Sequence, residues 1–209
     1  MKNLSKIFVL FSFFLLYVSF MKANDHINMK LKSGNVLIEL RPDLAPKHVK
    51  RISTLVKEGF YDGLTFHRVI PGFMAQGGDP LGNGTGGSGV NIDAEFSNAN
   101  HVRGTLSMAR AQDPNSADSQ FFICFGDTPH LDGQYTIWGQ VVKGMEHVDK
   151  IKQGDGSNGE VDNPDKIISM NISDYNILSK DISKYSMTIN HSRYPHNEIL
   201  KIATGSIKI

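Results

Sequence analysis

One cysteine and one tryptophan occur among the 209 residues, and neither sign of charge is in surplus. A lone thiol, Cys124, excludes an intramolecular disulfide and a multi-cysteine metal site. Its apolar neighbours Phe121, Phe122, Ile123 and Phe125 make it a buried, inert thiol rather than a nucleophile. Lys and Arg number 22 and Asp and Glu 21, a formal net charge of +1. No field of that size draws in nucleic acid or anionic lipid. Long apolar runs are also scarce. Residues 7–21 are uncharged and nearly all apolar, behind Lys2 and Lys6. Such a run suits a secretory signal and is short for a bilayer span of about 20 residues. Met21-Lys22-Ala23 is a poor small-x-small cleavage site, so 1–23 stands as a signal peptide or an uncleaved N-terminal anchor. Export favours disulfides, yet the chain forms none internally; a domain of this size can be stabilised by its core alone.

What is abundant is glycine, 20 residues of it, which implies many turns. Ile27, Met29 and Leu31 alternate with Asn28, Lys30 and Lys32, and beyond Ser33-Gly34-Asn35 Val36, Ile38 and Leu40 alternate with Leu37, Glu39 and Arg41. Two period-two runs around a glycine turn predict a β-hairpin, ended by Pro42. Over 45–58 the period changes. Val49, Ile52, Leu55 and Val56 share one helical face, Pro46 suits the first turn and Gly59 the C′ position. A shorter helix is expected over 145–151, with Met145, Val148 and Ile151 as its stripe. The apolar runs 66–73, 104–109, 119–125, 136–142 and 167–172 are broken by Gly, Pro, Asn and Asp. Many short strands with turn-rich connections predict a closed barrel or a sandwich. Residues 173–209 carry scattered isoleucines without a sustained period, and stand as an ordered flap or a loose tail.

Three segments carry the chemistry: FHRVIPGFMAQGGD (66–79), LSMARA (106–111) leading to SQFFI (119–123), and LDGQYTIWG (131–139). Together they resemble the cyclophilins, a family of peptidyl-prolyl isomerases, and the likeness spans 27–172. The resemblance implies a closed eight-stranded antiparallel β-barrel capped by two α-helices. It implies rotation about X-Pro bonds in polypeptides, without metal or cofactor, by a protein expected to be a monomer. The segment 163–168 looks most like bacterial members, which would make an exported chain periplasmic and a folding helper for exported proteins.

For this reaction the family pattern places Arg68 as the donor to the twisting amide, with Gln76 hydrogen-bonding the peptide or orienting Arg68. A guanidinium stays charged and presents a rigid fork, which lysine does not. Phe73, Met74, Phe122 and Leu131 would wall an apolar slot for the proline ring. Ala109, Arg110 and Ala111 would run beside the peptide as a strand edge. Gly84 and Gln120 would line the groove, with His130 and Tyr135 at its rim. The chain departs from the common eukaryotic pattern at three sites. Arg110 replaces an asparagine, and its charge would favour acidic residues near the proline. His130 replaces a tryptophan, which predicts weak binding of cyclosporin, the family's cyclic peptide inhibitor. Tyr135 replaces a histidine and keeps a ring with a polar tip.

Other signals are set aside. Residues 82–87 match G-x-G-x-x-G but open no periodic helix and lack an acidic partner about 20 residues on. The eight histidines show no metal spacing. His67 is read as packed, since isomerisation needs no proton transfer. Asn83-Gly84-Thr85 and Asn171-Ile172-Ser173 have only the form of glycosylation sequons. Two alternatives to the enzyme stay open: a binding module of the same fold that holds Pro-containing segments, and a β-barrel with a small ligand in its lumen.

Overall fold

The computed structural model describes residues 26–156 and 158–173. The leader expected at 1–23 and nearly all of the extension expected at 173–209 lie outside them.

His26–Leu31 (β1) and Gly34–Leu40 (β2) form the expected hairpin, with Ile27 opposite Ile38 and Met29 opposite Val36. All four side chains are fully buried, so the period-two face is the core face. Pro46–Lys57 (α1) buries Ile52, Leu55 and Val56 as its spacing predicts. Gly59 ends it at φ +70°, donating to the Val56 carbonyl while Phe60 donates to that of Leu55. That pair of bonds is a Schellman cap, whose left-handed residue favours glycine. The first turn of α1 contains no acid. Glu95 arrives from a distant loop instead, accepting from the Lys47 and His48 backbone N–H groups at 3.1 and 3.0 Å.

The remaining elements are Arg68–Ile70 (β3), Met74–Gly77 (β4), Thr105–Met108 (β5), Phe121–Cys124 (β6), Ile137–Lys143 (β7), Met145–Val148 (α2) and Ser169–Ser173 (β8). The sheet runs β3-β4-β6-β5-β7-β2-β1-β8, antiparallel throughout. The apolar run at 66–73 proves to be β3 plus a turn, with β4 beyond it. The helix expected over 145–151 keeps one regular turn, although Val148 and Ile151 are buried as expected.

The expected closure of the barrel is corrected. Eight strands curl into an open half-barrel, with β3 and β8 at the two ends of the sheet. No ladder joins those ends among the described residues. Single contacts span the seam instead: Thr65 bridges Lys166, Gly63 N donates to Ile167 O, and Phe66 N donates to Asp165 O. Strand β3 has three residues, too short to sustain a ladder there. Its free edge is met by the 154–161 loop, through Val69 N to Gly159 O at 2.7 Å and Gly154 N to Val69 O at 3.0 Å.

Strand alternation sorts the side chains onto two faces. Val69, Ala75, Leu106, Phe121 and Ile123 join the main core with Tyr61, Phe66 and Trp138. Phe121 meets Tyr61 and Trp138 edge-on, at 5.6 and 5.7 Å between centroids. The interior is packed side chain, which argues against a ligand held in a lumen. Met74, Phe122, Cys124 and Leu131 form a second, separate apolar cluster, flanked by Ile70, Phe73, Ala109 and Tyr135.

Candidate active site

That second cluster gathers the four residues expected to wall the slot: Met74, Phe122 and Leu131 are 2, 5 and 7% exposed, and Phe73 packs against them. Strands β3, β4 and β6 place Arg68 opposite Gln76, and Gln76 opposite Phe122. Neighbouring strands lie about 4.7–4.9 Å apart, so the three side chains stand in one cross-strand row. The adjacent row is Ile70, Met74 and Cys124. The turn Ile70-Pro71-Gly72-Phe73 joins β3 to β4. Gly72 sits at φ +73° and Phe73 N donates to Ile70 O at 3.0 Å. Pro followed by Gly suits a type II turn, whose third residue needs positive φ. The turn brings Phe73 onto the slot.

Arg68 is held from two sides. Its Nε donates to the Asn158 carbonyl at 2.9 Å, and its Nη1 to Gln76 Oε1 at 3.2 Å. Gln76 Nε2 donates to Gln120 Oε1 at 3.0 Å. Gln120 Nε2 in turn donates to the carbonyls of Gly84 and Gly86, at 3.0 and 2.8 Å. This relay ties the glycine-rich loop to Arg68 and fixes which way each amide points. A guanidinium has five N–H donors and two of them are engaged. The other three have no acceptor among the described residues.

The 79–86 loop is built around Asp79. Its carboxylate accepts from the backbone N–H groups of Leu81, Asn83 and Gly84, at 2.8, 3.0 and 2.5 Å. Burial alone would push that carboxyl up, but the converging N–H dipoles hold it below the ordinary aspartate value. The donors that a dinucleotide phosphate would need are therefore occupied by the chain's own carboxylate.

Around the slot, Leu131 is buried at the end of the short turn Pro129–Leu131, while His130 is exposed with its ring 5.3 Å from that of Phe73. Tyr135 stands edge-on to Phe122, at 5.7 Å and 81°. Ala109 packs on the cluster. A cavity of about 290 Å³ adjoins the slot, lined by Gln76, Gly84, Ala109, Arg110, Ala111 and Gln120 among others. All thirteen residues expected at the site are thus placed at the slot, along the relay or on this cavity.

Part of the Ala109–Ala111 edge is paired within the chain. Ala109 N donates to Gln120 O, Ala111 N donates to Ser116 Oγ, and Ala111 O accepts from Arg110 Nη1. Of these three residues, Arg110 keeps both backbone groups and Ala109 its carbonyl without a partner among the described residues. The Arg110 guanidinium, beside the groove, is bonded to three carbonyls of the chain.

Sequence reasoning missed the support beneath the slot. His101 stacks on Phe122, with centroids 6.3 Å apart and 18° between planes. Its Nδ1 donates to Asp132 Oδ1 at 2.9 Å, and its Nε2 lies 3.0 Å from Ser107 Oγ. Burial pulls the imidazole below its ordinary pKa, against the pull of Asp132. No local signal links residues 101, 107 and 132, which meet only in the fold. Cys124 is buried, as its apolar neighbours predicted: it packs in the second cluster, and burial pushes its thiol up.

Comparison with known proteins agrees with this geometry. Residues 26–172 match the family described as cyclophilin type peptidyl-prolyl cis-trans isomerase/CLD. A probable peptidyl-prolyl cis-trans isomerase of Brucella suis is 59% identical over 157 residues, covering 69% of this chain and 80% of that protein. Peptidyl-prolyl cis-trans isomerase B of Bacillus subtilis is 48% identical over 128 residues, covering 60% and 89%. Among solved structures, a Cryptosporidium parvum cyclophilin type peptidyl-prolyl cis-trans isomerase, crystallised in the presence of the dipeptide Ala-Pro, superposes with a TM-score of 0.65. It shares 33% identity, covering 71% of this chain and 98% of that one. Family, relatives and fold converge with the slot and its guanidinium: the chain belongs to the cyclophilin-type peptidyl-prolyl cis-trans isomerases.

Proposed function

We propose that Arg68 supplies the catalytic hydrogen bond and that the Phe73/Met74/Phe122/Leu131 slot holds the proline ring. Amide resonance raises a rotation barrier of about 18–20 kcal/mol. The cis and trans forms of an X-Pro bond differ by only about 0.5–1 kcal/mol, so the task is one of rate. Rotation breaks no bond, and its barrier falls when the twisted state is bound better than either planar state. In the twisted state the nitrogen lone pair leaves resonance and becomes an acceptor, which a planar amide lacks. A guanidinium fixed beforehand donates to that lone pair without reorganising. The slot holds the ring while Arg110's free backbone groups hold the chain before it.

The observation that carries this reading is the double tether of Arg68, to Asn158 O and Gln76 Oε1, in the same row as Phe122. A binding module that never turned over would have no need of it. In cells the activity is proposed to assist folding of exported proteins, in the periplasm of a bacterium. The apolar run at 7–21 and the bacterial relatives support that setting. Two measurements test it. The full chain should accelerate the proline-limited refolding phase of an exported substrate protein. N-terminal sequencing of the mature protein should show removal of a leader near residue 23. Recovery in the cytoplasm with Met1 intact would overturn the proposed compartment and leave the isomerase untouched.

A further inference from the structure

Arg110 is poorly placed to greet a substrate. Its Nε and Nη2 both donate to the Gln134 carbonyl, at 3.3 and 3.0 Å. Its Nη1 donates to the carbonyls of Ala111 and Gln112, at 2.9 and 3.2 Å. Its Cζ sits 4.6 Å from the centroid of the Tyr135 ring. Three of its three nitrogens are therefore spent on the protein, and the face of the fork is covered by an aromatic ring. Lysine could not reproduce this arrangement, which needs a planar group donating in several directions.

We propose that Arg110 is a positioning residue that clamps Tyr135 as a wall of the proline slot. The clamp joins the segment after β5 to the segment before β7, just beyond the backbone bond from Met108 N to Thr136 O at 3.0 Å. Stacking fixes one face of Tyr135 by a cation–π contact. The ring then stands edge-on to Phe122, which forms the floor of the slot. Four hydrogen bonds to carbonyls fix the guanidinium itself. One of those bonds occupies the Ala111 carbonyl, which leaves the Arg110 N–H and C=O and the Ala109 carbonyl unpaired on that edge among the described residues. This inference rests on the assignment of the slot to proline.

The test uses the full chain and four variants: Arg110→Ala, Arg110→Lys, Tyr135→Ala and the Arg110→Ala/Tyr135→Ala pair. Isomerisation is followed on two peptides, one with Glu and one with Gln before the proline. Thermal melts verify that each variant is folded. Arg110→Ala should lower kcat/KM roughly five- to tenfold on both peptides alike, the scale of one lost cation–π contact with its hydrogen bonds. Arg110→Lys should fail to restore it. The double variant should be no worse than the poorer single one, since both act through one ring. A loss confined to the Glu peptide, full activity in Arg110→Lys, or multiplied losses in the double variant would each overturn the clamp. The ring-proton shifts of Tyr135 and Phe122 give a readout independent of turnover. They should move in Arg110→Ala, and unchanged shifts would overturn the clamp even if the slot were misassigned.

Discussion

Gln76 receives a hydrogen bond from Arg68 through Oε1 at 3.2 Å and passes another to Gln120 through Nε2 at 3.0 Å. One amide thus couples the proposed catalytic donor to the glycine-rich loop. Removing it should leave Arg68 tethered only by Asn158 O. Gln76→Ala is expected to lower kcat/KM roughly tenfold, the scale of one hydrogen bond to a charged group. The peptide assay checks this, and a loss equal to that of removing Arg68 itself would mean that Gln76 acts directly on the substrate.

Phe121 and Phe122 are neighbours in sequence with opposite duties. Phe121 is fully buried between Tyr61 and Trp138, while Phe122 lies in the slot. Phe121→Ala should destabilise the fold by about 3–5 kcal/mol in chemical denaturation. Activity of the fraction still folded should change little. Phe122→Ala should instead lower kcat/KM in a protein that melts cooperatively. Trp138 is the only tryptophan in the chain and serves as the fluorescent probe of both transitions.

Acid should weaken the fold through His67. It is buried, and neither ring nitrogen has a hydrogen-bond partner among the described residues. Burial pulls its pKa below 6.5, against the nearby Asp79 charge and with that of Arg68. A histidine depressed in the folded state contributes its full stability above the unfolded pKa of about 6.5. That contribution is lost as pH falls below this value, because the unfolded chain takes up the proton more readily. Urea titrations at pH 7.5 and 5.0 should show the loss, and His67→Leu should reduce it. An identical pH slope in that variant would contradict the assignment. His48 and His101 are depressed by burial as well, so part of the slope should remain.

Much of this was legible in the chain itself. Period-two runs gave the hairpin, and period 3.6 with Pro46 and Gly59 gave α1, because each is a local rule. The slot residues came from motif resemblance, and alternation along β6 agrees: Phe121 and Ile123 face the core, so Phe122 and Cys124 face away. The open seam was not legible, since it depends on how short β3 turns out to be. The His101–Asp132–Ser107 support was also hidden, because its members are far apart in sequence. Arg110 was read only as a charge beside the groove, because a sequence shows the residue type and not the four carbonyl contacts its guanidinium makes.

The central claim is that the Arg68 guanidinium stabilises the twisted amide. Its most direct test is the exchange rate of an X-Pro peptide with wild-type chain and with Arg68→Ala, measured at equal concentrations of folded protein. Arg68→Ala is expected to fold normally and to lose about 10²–10³ in kcat/KM, the range for one preorganised transition-state donor. A folded Arg68→Ala protein that turns over at close to the wild-type rate would contradict the account.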